Sequence, residues 1–370
     1  MSQDKKQVNY VDRDVLTEAK TRIKHVIDIF DHVFVAFSGG KDSLVTLTLV
    51  EEVWNELGRK DKINVIFRDE ELIPDDVINF VQEKAKNPIY NFRYFAVQMA
   101  SHKFILGRTL DYVQWDDNRK WIRPKPAMAI TELPGAGKGK IFSQYDMDYH
   151  AVYGFAGKCA MITGIRADES LIRYRSCINK RNENYINATE APNVKLVKPI
   201  YDWSEKDVFK YLWERKVKYC TIYDKQTWNG QRLRVSTPIH AESSKELGKL
   251  KTLYPVFYEQ LMTLFPEMLV QERYWKSLDR YAIIYKYPKS WQGIRQYIME
   301  QLPDTHQQQL AIYRLETCMK LRGNQAGGTE KNFYGYPMLY VFKCIVAGQY
   351  KRVIQPCKTP GQAEIIYENG

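Results

Sequence analysis

The sequence predicts an α/β fold: a three-layer parallel sheet with an appended helical C-terminal region. Short apolar segments of strand length alternate with amphipathic helical segments up to residue 216. This alternation is typical of parallel sheets that are covered by helices. A glycine-rich turn joins the first strand to the next helix, and residues 241–370 show helical periodicity with many Tyr and Trp. These three observations fix the expected architecture.

The predicted elements follow one another along the chain. Residues 12–30 space their apolar side chains as a helix does, and VFVAF at 33–37 predicts a buried strand. Residues 42–57 then form one apolar helix face that ends before Gly58. The later segments continue the pattern: strand 64–67, helix 75–86, strands 94–98, 160–165 and 194–200, and helix 204–216 with Ser204 as N-cap.

Two stretches depart from this spacing and suggest the domain organisation. Residues 105–155 are rich in Trp, Gly and Pro and predict an insertion over the sheet edge. We expect residues 1–240, including this insertion, to form one α/β domain, and residues 241–370 to form a helical region.

The composition excludes several classes of protein. A hydrophobic fraction of 44% and a charged fraction of 27% indicate a folded chain with a sizeable core. No apolar run approaches the ~18 residues of a membrane helix, and the N-terminal segment resembles no export signal. The six cysteines are scattered and form no CxxC pair, as is usual in reduced proteins. We therefore expect a cytoplasmic protein with no membrane association.

The net charge of +11 favours polyanionic partners. Residues 156–235 contain 16 Lys and Arg against nine Asp and Glu, so most of the excess falls there. A small nucleotide needs only a few of these cations. The surplus suggests a surface for nucleic acid or an acidic protein, with an ordinary soluble basic surface as the alternative.

The motif FSGGKDS at 37–43 is the most informative feature. It follows an apolar strand and opens an amphipathic helix. Gly39 and Gly40 allow a tight turn that exposes backbone N–H groups, and the helix N-terminus adds positive partial charge. Lys41 and the two serines can donate to phosphate oxygens. The segment predicts an anion cradle, with an ordinary strand–turn–helix corner as the alternative; GAGKGK at 135–140 lacks the spacing of a P-loop.

A second basic segment follows the fourth predicted strand. In a doubly wound sheet, ligands bind at the carboxyl ends of the strands where the strand order reverses. GIRADESLIRYRS at 164–176 supplies Gly164 for close backbone approach to a ligand, Glu169 to orient an arginine or bind a ribose, and three arginines for phosphate or sulfate oxygens. The arginines are Arg166, Arg173 and Arg175. The alternative is a solvated basic helix start.

These residues carry a resemblance to a known superfamily. SGGKDS at 38–43 resembles the signature of the PP-loop ATP pyrophosphatases, which have an adenine nucleotide alpha hydrolase-like, HUP/Rossmann-like fold. The superfamily includes phosphoadenosine phosphosulfate (PAPS) reductases, sulfate adenylyltransferase small subunits, tRNA-thiolating enzymes and ATPases of DNA phosphorothioation. The resemblance implies binding of ATP or PAPS with Mg²⁺, and ATP cleavage between the α- and β-phosphates. The implied binding residues are Ser38, Gly39, Gly40, Lys41, Asp42, Ser43, Gly164, Arg166, Glu169 and Arg173.

The resemblance extends over residues 20–240 and narrows to the PAPS reductase-like proteins. The segment 164–176 resembles their GxRxxES…R motif, and three further segments resemble an IbrA-type, uncharacterised subgroup: 115–126, 198–212 and 222–238. The genes of that subgroup tend to accompany a ParB/sulfiredoxin-like partner. Such a protein partner is therefore implied alongside nucleic acid.

The sequence also departs from the family pattern. True PAPS reductases end in a Cys–Gly–Leu–His nucleophile motif, which is missing here, so thiol-dependent reduction is not expected. The acidic segment RDEE at 68–71 begins with Arg68. Its three carboxylates either bind a metal or the adenosine, or belong to an ordinary charged loop.

Other residues have two interpretations each. Cys159 and Cys177 flank the second segment and could carry sulfur, although buried structural cysteines explain them better. His240 could reach the site, but an ordinary structural role is the simpler interpretation. Five tryptophans near the motifs could stack on a base, and core packing is the alternative: Trp115, Trp121, Trp203, Trp213 and Trp228.

The leading hypothesis is an ATP-using enzyme that adenylylates an acceptor. Lys41 and Mg²⁺, with Asp42 as a candidate metal ligand, would stabilise the leaving pyrophosphate, while Arg166 and Arg173 hold pyrophosphate or the acceptor's anionic group. One alternative is a sulfur-transfer or PAPS-handling enzyme. Another is a non-catalytic nucleotide-binding regulator that acts with DNA or a ParB-like partner.

Overall fold

A computed structural model gives the architecture of the chain. It describes residues 12–106, 108–133, 136, 139–143, 146–178, 183–241, 243–274, 282–302, 304–323 and 335–357. By their internal contacts the described residues fall into two compact units. The first contains the residues up to 105 and those from 109 to 272. The second contains residues 106 and 108 and those from 273 onwards. No helix of the described residues is long and apolar enough to cross a membrane.

The first unit contains the predicted alternation of strands and helices. Its elements up to the insertion are α1 (Val15–Ile29), β1 (His32–Ala36), α2 (Lys41–Glu56), β2 (Ile63–Arg68), α3 (Asp75–Ala85) and β3 (Tyr90–Phe95). The insertion adds β4 (Met99–Ile105), β5 (Arg108–Gln114) and α4 (Asp146–Ala151). The remaining elements are β6 (Cys159–Ile162), α5 (Leu171–Ile178), β7 (Ile186–Ala188), β8 (Val194–Val197), α6 (Glu205–Glu214) and α7 (Ile222–Trp228).

Six of these strands form the central sheet in the order β3-β2-β1-β6-β8-β7. All neighbouring strands pair in parallel except β7, which runs antiparallel to β8 at one edge. The predicted α/β fold with a mainly parallel sheet is thus confirmed. The antiparallel edge strand was not predicted, because its three residues are too few to show a strand pattern.

Side chains from the sheet alternate between two cores, as both faces of a parallel sheet are covered. Val33 and Val35 of β1 pack with the first core beneath α1, α2, α3 and α6. Phe34 points the other way and packs with Met147 of α4 and Phe142. The insertion therefore covers the second face of the sheet, whereas the sequence had suggested that it lies over an edge.

Local capping explains where two helices begin. Asp14 accepts hydrogen bonds from the N–H groups of Leu16 and Thr17 at the start of α1. The predicted N-cap Ser204 is confirmed: its hydroxyl accepts from Asp207 N–H, and the Asp207 carboxylate accepts from Ser204 N–H. Such reciprocal bonds satisfy backbone donors that no helical carbonyl can reach.

Three further helices extend the first unit beyond residue 240: α8 (Leu247–Leu253), α9 (Pro255–Leu264) and α10 (Met268–Tyr274). Leu247 and Leu261 share a core with Leu72 and Ile239. The domain division at residue 240 stays a prediction, but by packing the residues up to 272 group with the sheet. Their helical periodicity alone could not show this.

The second unit is helical, in line with the predicted helical C-terminal region. It contains α11 (Trp291–Gln301), α12 (Thr305–Gly323) and α13 (Met338–Val346). Ile294, Leu315 and Val341 form the centre of its own core.

Candidate functional site

The glycine loop lies at the carboxyl end of β1, where the chain turns into α2. Gly39 has a φ of +76°, in the left-handed region that favours glycine. A Cβ on Gly39 would lie 2.8 Å from Val77 Cγ1 of α3, and a Cβ on Gly40 would lie 3.1 Å from the hydroxyl of Tyr223. The loop therefore approaches its neighbours more closely than larger residues would allow.

Two serines close the loop on itself. The N–H of Ser38 donates to Ser43 Oγ at 3.1 Å, and the two hydroxyls lie 3.0 Å apart. The Ser43 hydroxyl also contacts the Gly40 carbonyl at 2.9 Å. These bonds fix the loop at the N-terminus of a 16-residue helix, which carries positive partial charge.

Lys41 is buried, with only 4% of its side chain exposed. Its Nζ lies 3.0 Å from Asp42 Oδ2, 3.3 Å from Glu205 Oε1 at the start of α6, and 3.4 Å from the Leu233 carbonyl oxygen. A buried ammonium group requires such partners. The amine is thus neutralised by the protein's own carboxylates, whose place an anionic ligand could take.

Tyr223 of α7 holds the same residue from the other side. The backbone N–H of Lys41 donates to its hydroxyl at 2.7 Å, and Lys41 Nζ lies 5.5 Å from its ring centroid. Burial raises the pKa of Tyr223, so the hydroxyl stays neutral. Tyr223, Glu205 and Leu233 were not among the predicted site residues. The resemblance of 222–238 to one subgroup was the only available signal for Tyr223 and Leu233.

Arg166 brings the second segment to the loop. Its Nε donates to Asp42 Oδ1 at 2.6 Å, and its Nη1 donates to Asp168 at 2.7 Å. Desolvation alone would lower the pKa of Arg166, but the charges of Asp42 and Asp168 outweigh it and raise that pKa. Asp42 therefore lies between two buried cations, Lys41 and Arg166.

Gly164 allows the segment that carries Arg166 to lie close to the glycine loop. A Cβ on Gly164 would lie 2.5 Å from the backbone carbon of Asp42 and 2.6 Å from the backbone nitrogen of Ser43. Backbone atoms cannot rotate away from such a contact as a flexible side chain could. Gly164 thus allows the first turn of α2 to pack closely here, and its role in close approach to a ligand stays a prediction.

Glu169 links the remaining predicted residues. Its carboxylate accepts from the Arg166 backbone N–H at 3.0 Å and forms an ion pair with Arg173 Nη1. Of the two interpretations, orienting an arginine matches these contacts. Arg173 lies in α5 and remains partly exposed. Arg175 lies in α5, but its side chain is outside the described residues.

The expected magnesium ligand is already engaged. The two Asp42 oxygens contact Arg166 and Lys41. Within the described ranges no group of three or more His, Cys, Asp or Glu side chains is placed to hold a metal ion. Because Mg²⁺ demands several oxygen ligands, the side chains as placed do not fit an ion held by the protein alone.

The acidic segment after β2 has a different role from the alternatives of metal or adenosine binding. Glu71 accepts from both terminal nitrogens of Arg119 and from Trp115 N–H. Asp69 accepts from Arg123 and from the Tyr94 hydroxyl, each at 2.5 Å. Both carboxylates are fully buried. They fix the insertion to the sheet, so their oxygens are committed to structure.

A comparison with known families identifies the family to which the chain belongs. The model of the phosphoadenosine phosphosulfate reductase domain matches residues 32–261, which include the glycine loop and the Arg166 segment. The chain belongs to this family. The match also includes residues 241–261, in agreement with their packing on the first unit.

One curated relative of this PAPS reductase family member is the uncharacterized protein YbdN of Escherichia coli K12. The two are 26% identical over 257 residues, which are 65% of this chain and 63% of YbdN. The chain thus spans less than two thirds of the length of that relative. The IbrA-type subgroup stays a prediction.

Three solved structures resemble parts of the chain. A PAPS reductase of Candida auris is 13% identical with a TM-score of 0.32, over 59% of this chain and 93% of that one. An FMN adenylyltransferase of Candida glabrata is 13% identical with a TM-score of 0.39, over 62% and 66%. A U34-tRNA thiolase of Methanococcus maripaludis is 14% identical with a TM-score of 0.32, over 71% and 82%. With TM-scores below 0.5, none of them bears on the function of this family member.

The other candidate residues lie in varied environments. Cys159 and Cys177 are both buried, and burial raises the pKa of the Cys159 thiol. Trp115 and Trp203 are core residues, Trp121 is partly buried against that core, and Trp213 and Trp228 are about 80% exposed. For His240, no side-chain bond to the glycine loop is found in the described part of the chain. Half of the segment GAGKGK at 135–140 lies outside the described residues.

Proposed function

We propose that this PAPS reductase family member binds ATP, or a related adenylyl nucleotide such as PAPS, over Ser38–Ser43. We further propose that it cleaves ATP at the α-phosphate and adenylylates an acceptor. One observation carries the proposal: Lys41 and Arg166, both buried, share the Asp42 carboxylate at the adjoining carboxyl ends of β1 and β6. Two desolvated cations beside a glycine-lined helix N-terminus favour a polyphosphate ligand.

Binding would proceed by exchange of carboxylates for phosphates. Asp168 and Glu205 are about half exposed, so they can leave Arg166 and Lys41 for water at little cost. The nucleotide's phosphate oxygens would then accept the same N–H groups, together with the loop's backbone donors. The buried cations gain a more highly charged partner, which supports tight binding.

The chemical step requires little from the protein beyond position and charge. An oxygen of the acceptor attacks the α-phosphorus, the bond to the bridging oxygen breaks, pyrophosphate leaves, and the acceptor's proton goes to solvent. Lys41 would stabilise the charge that grows on pyrophosphate. Arg166 and Arg173 would hold pyrophosphate or the acceptor's anionic group. The Mg²⁺ requirement remains a prediction from the resemblance.

We expect Lys41→Ala and Arg166→Ala to abolish pyrophosphate release, because each removes one of the two buried cations from the site. Loss of one such interaction typically lowers the rate by about 10²–10³-fold. ATP affinity by isothermal titration calorimetry and pyrophosphate release by a coupled assay would measure the two effects. Lys60→Ala, which removes an exposed lysine near the opposite ends of the strands, is the matched control.

Two outcomes would separate parts of this proposal. A purified protein that neither binds ATP nor releases pyrophosphate with any candidate acceptor contradicts it entirely. Tight ATP binding without turnover, together with salt-sensitive retention of DNA, would instead favour a non-catalytic regulator that acts with DNA or a ParB/sulfiredoxin-like partner. Exposed cations such as Lys206 and Lys216 support that second candidate.

Sulfur transfer stays an alternative prediction with a direct test. It requires a thiolate at Cys159 or Cys177, and burial disfavours a thiolate at Cys159. Full activity of the Cys159→Ser/Cys177→Ser double variant would exclude it. A cytoplasmic location likewise remains a prediction.

A further inference from the structure

The segment 231–236 has two faces with different partners. Leu233 and Val235 are half-buried against the main core, and the Leu233 carbonyl oxygen lies 3.4 Å from Lys41 Nζ. A Cβ on Gly40 would lie 3.8 Å from Val235 Cβ. The alternate residues Arg232, Arg234 and Ser236 line a pocket. One short segment thus separates this pocket from the glycine loop.

Helix α7 is divided in the same way. Its Tyr223 accepts the Lys41 backbone N–H, while Ile222 and Gln226 line the pocket. Gln226 also joins the two walls: its Nε2 donates to the Arg234 carbonyl at 2.7 Å, and its Oε1 accepts the Arg234 N–H at 3.0 Å. A displacement of α7 would therefore move the Tyr223 hydroxyl, and a displacement of 231–236 would move the Leu233 carbonyl oxygen. Both groups contact Lys41.

The lining of the pocket suits a phosphate-bearing ligand with an apolar or ring-shaped body. Two arginines lie at its rim, and Arg232 has no carboxylate partner among the residues that the structure describes. Among the lining residues that the structure describes, the one acidic side chain is that of Glu246, which contacts Lys249 at 3.3 Å. The apolar wall consists of Pro74, Ile222, Pro238, Leu250, Leu253 and the ring of Tyr254. Arginine forks bind phosphate, and apolar walls are usual in sites that contact the carbon atoms of a ligand.

We propose that this pocket is a second anion site, which takes a phosphate-bearing group and whose occupancy is linked to nucleotide binding at the glycine loop. The group belongs either to a free sugar phosphate or to a nucleic-acid strand; both present the same chemistry to Arg232 and Arg234. The linkage follows from 231–236 and α7, each of which contacts the pocket on one face and the loop residues on the other. The linkage, but not the site itself, rests on the proposed function.

The test uses the full-length chain and two probes, ribose 5-phosphate and a 5′-phosphorylated hexathymidylate, in calorimetric titrations. We expect at least one probe to bind saturably. We expect its affinity to fall at least tenfold in Arg232→Gln/Arg234→Gln, and less than twofold in Lys60→Gln/Lys62→Gln. The control loses the same charge from an exposed loop after α2. Which probe binds distinguishes the free ligand from the strand.

Further titrations separate this inference from the proposed function. Probe binding that persists in Lys41→Ala while ATP binding is lost places the probe outside the glycine loop, as proposed. If the probe loses binding in Lys41→Ala but not in the double arginine variant, the second anion site is overturned. The proposal that ATP binds at the glycine loop is not affected by that result. For the linkage, a saturating probe is expected to change the Kd for ATP at least threefold in the wild type and not in the double arginine variant. An unchanged Kd in the wild type overturns the linkage.

Discussion

Two sets of ion pairs lie at the carboxyl ends of neighbouring strands, and they differ in which partner can leave. At the glycine loop the cations are buried, while their carboxylates are partly exposed: 17% for Asp42 and about half for Asp168 and Glu205. After β2 the carboxylates of Asp69 and Glu71 are completely buried. The first set can exchange an anion with solvent, and the second cannot. Ion pairs between carboxylates and cations thus lie at the proposed binding site in one place, and hold the insertion to the sheet in the other.

The largest loss of stability is expected at Glu71, whose buried carboxylate holds the insertion to the sheet. Glu71→Gln removes the buried charge that pairs with both terminal nitrogens of Arg119, which leaves this partly buried cation without its carboxylate partner. The expected loss is about 3–5 kcal/mol of the free energy of unfolding, measured by urea denaturation. Glu70→Gln, at the adjacent half-buried position, is the control. A change below about 1 kcal/mol would show that the ion pair does not lock the insertion.

Removal of the shared carboxylate at the loop should act differently. Asp42→Asn leaves Arg166 with Asp168 and Lys41 with Glu205, so the expected loss of stability is smaller, about 1–3 kcal/mol. The cations become less neutralised, and pyrophosphate affinity should rise about tenfold, as expected for one charge-assisted bond. Calorimetry with pyrophosphate would measure this, with Asp61→Asn on a distant exposed loop as control. Weaker pyrophosphate binding would contradict the exchange of carboxylates for phosphates.

The smallest effect is expected at Asp76, which is intermediate in exposure. It accepts from Lys225 at 2.5 Å and from the Tyr254 hydroxyl at 2.8 Å, and so ties α3 to the walls of the second pocket. Burial alone would raise the pKa of Asp76, but these partners outweigh it and lower that pKa.

Because the folded pKa lies below the unfolded one, the unfolded chain binds more protons in acid. The contribution is complete above about pH 4 and disappears as the pH falls through the folded pKa. We expect Asp76→Asn to cost at most ~1 kcal/mol at pH 7 and progressively less as the pH falls below about 4, from urea midpoints measured between pH 7 and pH 2. A difference that stays constant down to pH 2 would show that the charge of Asp76 is not the cause.

The comparison also shows what the sequence could predict. The glycine loop and the segment from Gly164 to Arg173 were predictable, because a strand end, glycines and charged residues occur within a few positions of each other. The arginine partners of Asp69 and Glu71 lie 48 to 54 residues further along the chain, within an insertion that has no periodic pattern. Tyr223 and Glu205 were missed because they contact Lys41 from a distant part of the chain, 182 residues away for Tyr223. Contacts between distant segments depend on the packed fold and leave no local signal.

The buried cysteines give the molecule a property that experiments can use. All six thiols, Cys159, Cys177, Cys220, Cys318, Cys344 and Cys357, are buried in the folded chain. A maleimide dye should therefore react slowly with the native protein and quickly once the fold opens. Labelling at increasing urea concentration would report the opening of each unit separately, since three thiols belong to each. For the same reason, a cysteine introduced on the surface could carry a fluorophore without removal of any natural one.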